Sequence, residues 1–244
     1  MTRPAPAPDT TADAPAVDVT PAGFSPQRIR INAAALIPSL VIVVAVAALF
    51  AGQPPLLQVA LGAAGWLIAL VLRQPVALIA MKVKGQETAN TIVGWFSGPA
   101  EETVRLVMVL LVVAAWPEAV WFGVGWAGIE ILFAMVNSLA LASIVGKDDE
   151  KSRQALEVLS AMGTTAPPHP AWGFLERLSA SAMHIGFTLL VFVQPWLVLV
   201  TLPLHSLINM MTVRFVKRSV AAVEVGLAIA GVVILAAGIL ALQL

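Results

Sequence analysis

Carboxylates and imidazoles are few in this chain, and about half of them fall inside its longest apolar stretches. Glu101, Glu102 and Arg105 share one short run, Gly98-Pro99-Ala100-Glu101-Glu102-Thr103-Val104-Arg105. Spacings of three and four let Arg105 pair with either glutamate on one helix face. Adjacent carboxylates repel, and a carboxylate whose proton affinity is raised can serve as a general base near neutral pH. Further along, Phe122, Trp126 and Glu130 are spaced by four and form one stripe, with Asn137 seven beyond Glu130. Glu176 and Arg177 precede Ser181 and His184, and the spacing puts Arg177, Ser181 and His184 on one face. His205 and Asn209 lie one turn apart. Together these residues offer a base, hydrogen-bond donors for a developing oxyanion and ion-pair partners. The simpler alternative for each is a buried salt bridge or an interhelical hydrogen bond that only neutralises polarity.

The elements that carry them are membrane helices by composition. The 244 residues are 59% hydrophobic and 11% charged, with a mean hydropathy of +0.90. Soluble domains carry about 45–50% apolar and about 25% charged residues, so a soluble globular enzyme is excluded. Lys+Arg and Asp+Glu balance at 14 each, which argues against nucleic acid as a partner. Cysteine is absent, so thiolate catalysis, disulfides and Cys-ligated zinc are excluded. A span needs about 20 apolar residues. Candidate spans run over Ile31–Phe50, Leu56–Met81, Pro99–Trp116, Glu118–Val145, Gly173–Val193, Pro195–Val213 and Ala221–Leu242. The expected fold is therefore an all-α, polytopic membrane helix bundle of about seven transmembrane helices.

Residues 1–27 are rich in Pro, Ala, Thr and Asp. They read as a disordered cytoplasmic tail rather than a signal peptide, and residues 28–244 form the transmembrane domain. Arg28, Arg30, Lys82, Lys84, Lys147, Lys151, Arg153, Arg214, Lys217 and Arg218 all fall on alternate connections, and the opposite connections have no Lys or Arg. The positive-inside bias puts the N-terminus in the cytoplasm and leaves Trp116, Trp121 and Trp196 as an outer aromatic belt. The expected location is the cell membrane, with multiple passes. Ser97 or Gly98 would cap the third span, with Pro99 in its first turn and the two glutamates at the positive end of the helix dipole. Gly123, Gly125 and Gly128 read as close helix packing. Arg73 reads as a snorkelling side chain and His169 as a solvated loop residue. At 1.5 Å per residue, Glu101 lies about 22 Å, Glu130 about 19 Å, His184 about 16 Å and His205 about 15 Å below the outer edge. This common depth suggests a polar cavity open to the cytoplasm.

The order Glu-Glu-x-x-Arg, a glycine-rich helix with Glu130, Glu176-Arg177…His184 and His205-x-x-x-Asn209 resembles the YhfC family of intramembrane metalloproteases. More remotely it is similar to the CAAX-prenyl protease and bacteriocin-processing (CPBP, or Abi) group. The resemblance covers roughly Gly98 to Asn209. It implies an intramembrane endopeptidase acting on a peptide or membrane-protein substrate, with Glu101 activating a water, Glu102 and Arg105 holding it, and His205 with Asn209 binding the oxyanion. Glu130, Glu176 and Arg177 would support the site. Two departures stand out. The wider group spaces its first motif Glu-Glu-x-x-x-Arg, one residue longer than here. Its Phe-x-x-x-His motif reads Phe122-x-x-x-Trp126, and an indole is neither a base nor a metal ligand. Either His184 supplies the imidazole, or the chain is a catalytically inactive membrane scaffold. A small transporter is a third reading, weakened by the lack of an internal repeat. If a divalent metal such as zinc takes part, Glu101, Glu130, His184 and His205 form its N/O ligand set. No HExxH motif is present, so both a metal-activated and a glutamate-activated water remain open.

Overall fold

The computed structural model describes residues 25–84, 86–145, 147, 149–154, 169–216 and 218–243. Nearly all of the expected tail lies outside the described residues, as does Lys217. The described residues are helical and contain no strand. The helices are α1 (Pro26–Ala34), α2 (Ile37–Ala51), α3 (Leu56–Lys84), α4 (Gln86–Val112), α5 (Trp116–Ile144), α6 (Pro170–Val193), α7 (Val198–Phe215) and α8 (Val220–Ala241). Five candidate spans are long and apolar enough to cross a membrane: Pro26–Ala51, which joins α1 and α2, then Leu56–Val83, Trp116–Ile144, Pro195–Phe215 and Val220–Ala241. Helices α4 and α6, with 27 and 24 residues, are as long but interrupted by the charges described below.

Local chemistry sets the helix ends. Ser25 caps α1 by accepting from Arg28 N, and Ser219 caps α8 by accepting from Ala222 N. His169 is exposed, as expected, and it also caps α6 by accepting from Ala171 N. The first span breaks at Ala35–Leu36 because Pro38 has no N–H to give to Ala34. Pro99 departs from expectation. It sits in the interior of α4, which starts at Gln86, so Glu101 and Glu102 are not at a helix N-terminus and the dipole argument lapses. A proline inside a helix frees the carbonyl four residues back, here that of Trp95. Ser206 of α7 donates its hydroxyl to this oxygen at 2.7 Å. The proline is thus tolerated by becoming a docking point for a neighbouring helix.

Glycines set the helix spacing. A Cβ on Gly62 would lie 2.0 Å from Phe122 O, and one on Gly125 2.0 Å from Val59 O, so α3 and α5 pack backbone to backbone. Gly123 meets Ile185 of α6 in the same way, whereas Gly128 has only ordinary contact with Leu40. Glycine therefore serves packing at Gly123 and Gly125. Gly186 and Gly238 close α6 against α8. Gly98 lets α7 approach α4, because its missing Cβ would sit 2.2 Å from Leu202 O and 2.4 Å from Ser206 Oγ. We expect Gly98→Ala to push α7 off α4 and lower stability by about 1–3 kcal/mol, read as an earlier thermal transition in detergent. An unchanged transition would show that this seam yields.

Trp116 and Trp196 are exposed as an interfacial belt requires, but Trp121 is 1% exposed. It packs with Val43, Val120, Val124 and Leu189, because the α5 stretch 119–128 is buried on every side.

Candidate active site

Helices α3 to α7 meet around one group of charged and imidazole side chains. The hub is Arg105, whose side chain is fully buried. Its Nε donates to both oxygens of Glu102 at 3.2 Å. Its Nη1 donates to the His184 carbonyl at 3.2 Å and to Thr188 Oγ1 at 2.8 Å. Its Nη2 lies 3.0 Å from His184 Nδ1, and its guanidinium stacks 4.3 Å over the Trp126 ring. Of the two partners that the spacing allowed, Arg105 takes Glu102, because α6 draws the other guanidinium nitrogens to its own acceptors.

Glu101 is paired elsewhere. Its Oε1 is 3.1 Å from Arg73 Nη1 on α3, so Arg73 belongs to the site and does not snorkel. Its Oε2 accepts from the Trp126 indole at 3.2 Å. That oxygen also lies 3.8 Å from His205 Nε2.

The hydrogen bonds fix both imidazoles. Guanidinium nitrogens only donate, so His184 Nδ1 accepts from Arg105 and Nε2 carries the proton. That proton is donated to Glu130 Oε2 at 2.7 Å. Glu130 is held on its other oxygen by Arg177 Nη1 at 2.8 Å, and Arg177 also pairs with Glu176. His205 Nδ1 is 2.8 Å from Glu102 Oε1 and donates to it, while its ring stacks on Phe187. In neutral His205 this leaves the Nε2 lone pair facing Glu101. Asn209 donates to Ser97 Oγ at 2.8 Å. Ser181 turns back onto the Arg177 carbonyl of its own helix and adds nothing to the network.

Beside these groups is a cavity of about 380 Å³ lined by Arg73, Glu101, Glu130, His184, His205 and Asn209 among others. Glu102 and Arg105 lie behind its wall, fully buried. Asn137, Glu176 and Arg177 also line it. Spacing alone missed the parts of Arg73 and Thr188. Arg73 was visible as a charge inside an apolar span. Thr188 could have been found as the polar residue one turn after His184.

A protein zinc site takes three or four N, O or S donors. Among the described residues no three His, Asp or Glu side chains gather to hold one ion. Of the expected set, Glu101 and His205 Nε2 face a common point, but both His184 nitrogens are committed and Glu130 is turned to Arg177 and His184. The residues present do not fit a metal held by three protein ligands.

Comparison with known proteins bears on the same segment. No curated protein matches the chain and no solved structure matches it. The family model for the YhfC intramembrane metalloprotease matches residues 41–230, which takes in every helix that contributes to the site. With its apolar helices, this marks a multi-pass membrane protein. The chain belongs to the YhfC intramembrane metalloprotease family.

Proposed function

We propose that the chain is an intramembrane endopeptidase of the cell membrane, with seven spans (α1 and α2 counting as one), a cytoplasmic N-terminus and Glu101 as the base that activates water. The observation that carries this is Glu101 Oε2 facing His205 Nε2 across 3.8 Å at a buried cavity wall, two acceptors when the carboxylate is ionised and the imidazole neutral. A water seated there donates one hydrogen to each. Its oxygen lone pairs are then free to attack a carbonyl carbon presented from the cavity. Glu101 accepts the proton as the carbon–oxygen bond forms. The tetrahedral oxyanion collapses, the carbon–nitrogen bond breaks, and the proton passes to the leaving nitrogen.

The surroundings suit that sequence. Arg73 and Trp126 hold Glu101 in place, one on each oxygen. Glu102 orients His205 so that its Nε2 can accept from the water. Asn209 uses one N–H on Ser97 and retains another for the oxyanion. No step here is routed through a metal. Seven spans follow from counting α4 and α6, whose charges point into the shared network. The orientation rests on exposed Arg28, Arg30, Lys82, Lys147, Lys151, Arg153, Arg214 and Arg218 at one end of the bundle, against the turns 52–55, 113–115 and 194–197, which have no Lys or Arg.

The test compares N-terminal peptides in membranes and medium of cells that make the chain with those of cells that lack it. New N-termini falling in or beside membrane segments are expected. Identical profiles from cells that hold the protein stably would overturn the endopeptidase reading and favour a scaffold or transporter.

A further inference from the structure

Helices α7 and α8 are consecutive, yet they touch only sparingly. Between them runs a groove of about 510 Å³ lined by Leu207, Met211, Phe215, Val223, Gly226 and Ala230 among others. Ile208, Thr212 and Leu227 line this groove and the polar cavity alike, so the two are neighbours across one wall. Gly226 has nothing within 4 Å of the position a Cβ would take, so the groove is open space and not a seam. Arg218 is the one charged side chain lining it among the described residues. Its guanidinium lies 5.5 Å over the Phe215 ring at the basic end of the bundle.

We propose that this groove seats the apolar membrane segment of the substrate, with a carboxylate beside that segment set against Arg218. The proposal rests on the endopeptidase reading and names its substrate class. Apart from Arg218 an occupant of the groove finds only two hydroxyls, both already engaged: Thr212 donates to Ile208 O at 3.0 Å and Ser219 accepts from Ala222 N at 3.2 Å. A peptide there must satisfy its own backbone and is therefore helical. Partners begin where the polar cavity begins, at Asn209, Arg177 and Glu130. The segment can leave its helix there and present a carbonyl to Glu101. Adjacency of the apolar groove and the polar cavity, which share Ile208, Thr212 and Leu227, suits a ligand that is apolar along one stretch and has a peptide bond at its end. The lone cation at the mouth selects an anionic flank.

The experiment uses full-length protein in phosphatidylcholine vesicles and two peptides spanning a cleavage site mapped as above. One retains the adjoining apolar segment with an acidic flank, and the other is a short water-soluble version without it. Gly226→Leu narrows the groove with a side chain whose Cβ has nothing within 4 Å. It should slow cleavage of the membrane peptide about tenfold or more and leave the soluble peptide unaffected. Arg218→Glu should slow the acidic-flank peptide and favour one with a basic flank. A photocrosslinker in place of Leu207 should capture the membrane peptide. Equal rates for Gly226→Leu and wild type on both peptides, equal loss on both, or capture of phospholipid alone would each overturn the groove assignment. If wild type cleaves neither peptide, the endopeptidase reading fails first and the groove assignment with it.

Discussion

Glu101→Gln is expected to lower peptide cleavage by about 10²–10⁴-fold, the usual contribution of a general base, and also to lower the thermal transition in detergent, because Arg73 loses its charged partner. The amide matches the carboxylate in shape. Its oxygen can still accept from Trp126, which donates at 3.2 Å in the native site. Both native oxygens face donors, so with the one amide oxygen on Trp126 the NH2 group faces Arg73 and the contact at 3.1 Å is lost. What the amide cannot do is take a proton from water. The second variant to compare is Glu101→Asp, which keeps the charge and withdraws it by about one methylene. A displacement of about 1 Å can cost roughly 10²-fold in a positioned reaction. A site that needs both charge and reach loses activity in each variant. Cleavage by Glu101→Gln at the native rate, with the same product termini, would move the base elsewhere.

The components of this site were legible from the sequence in residue type, but their pairing was not. Charges at mid-depth in apolar stretches announced Glu101, Glu102, Arg105 and Glu130. Which glutamate Arg105 would take depends on where α6 stands. The His184 carbonyl and Thr188 hydroxyl that draw the guanidinium are about 80 residues away. Arg73 shows the same limit. Its place near a span end suits snorkelling, and only the α3–α4 crossing brings it to Glu101. Pro99 misled for another reason. A proline after Ser-Gly reads as a helix start, and the helix continues here because Ser206 satisfies the orphaned Trp95 carbonyl. Trp126 was legible as a departure from Phe-x-x-x-His. The structure shows what the indole does in its place, donating to Glu101 and covering Arg105. The element count was legible wherever a span was uniformly apolar, and least so in α4 and α6, where the site itself dilutes the hydropathy signal.

Arg105→Met is expected to be the most destabilising single change in the bundle, about 3–5 kcal/mol, the cost of removing one partner from a buried ion pair. The size follows from what is stranded. Glu102 is completely buried and would keep only the His205 contact at 2.8 Å. His184 Nδ1, the His184 carbonyl and Thr188 Oγ1 would lose a donor as well, although Thr188 keeps its own bond to the His184 carbonyl at 2.7 Å. Methionine fills much of the volume, so the loss reports electrostatics and hydrogen bonding more than a cavity. Arg105→Lys should fall between, since an ammonium has the charge but not the planar fork that reaches Glu102, Thr188 and His184 together. Glu102→Leu added to Arg105→Met should recover part of the stability, because removing both charges is far less costly than orphaning one. Thermal or denaturant unfolding in one detergent orders the four proteins. Arg105→Met as stable as wild type would mean that Glu102 is not ionised in the folded chain. The base would then lack its oriented imidazole, and His205 would have to be held by some group other than Glu102.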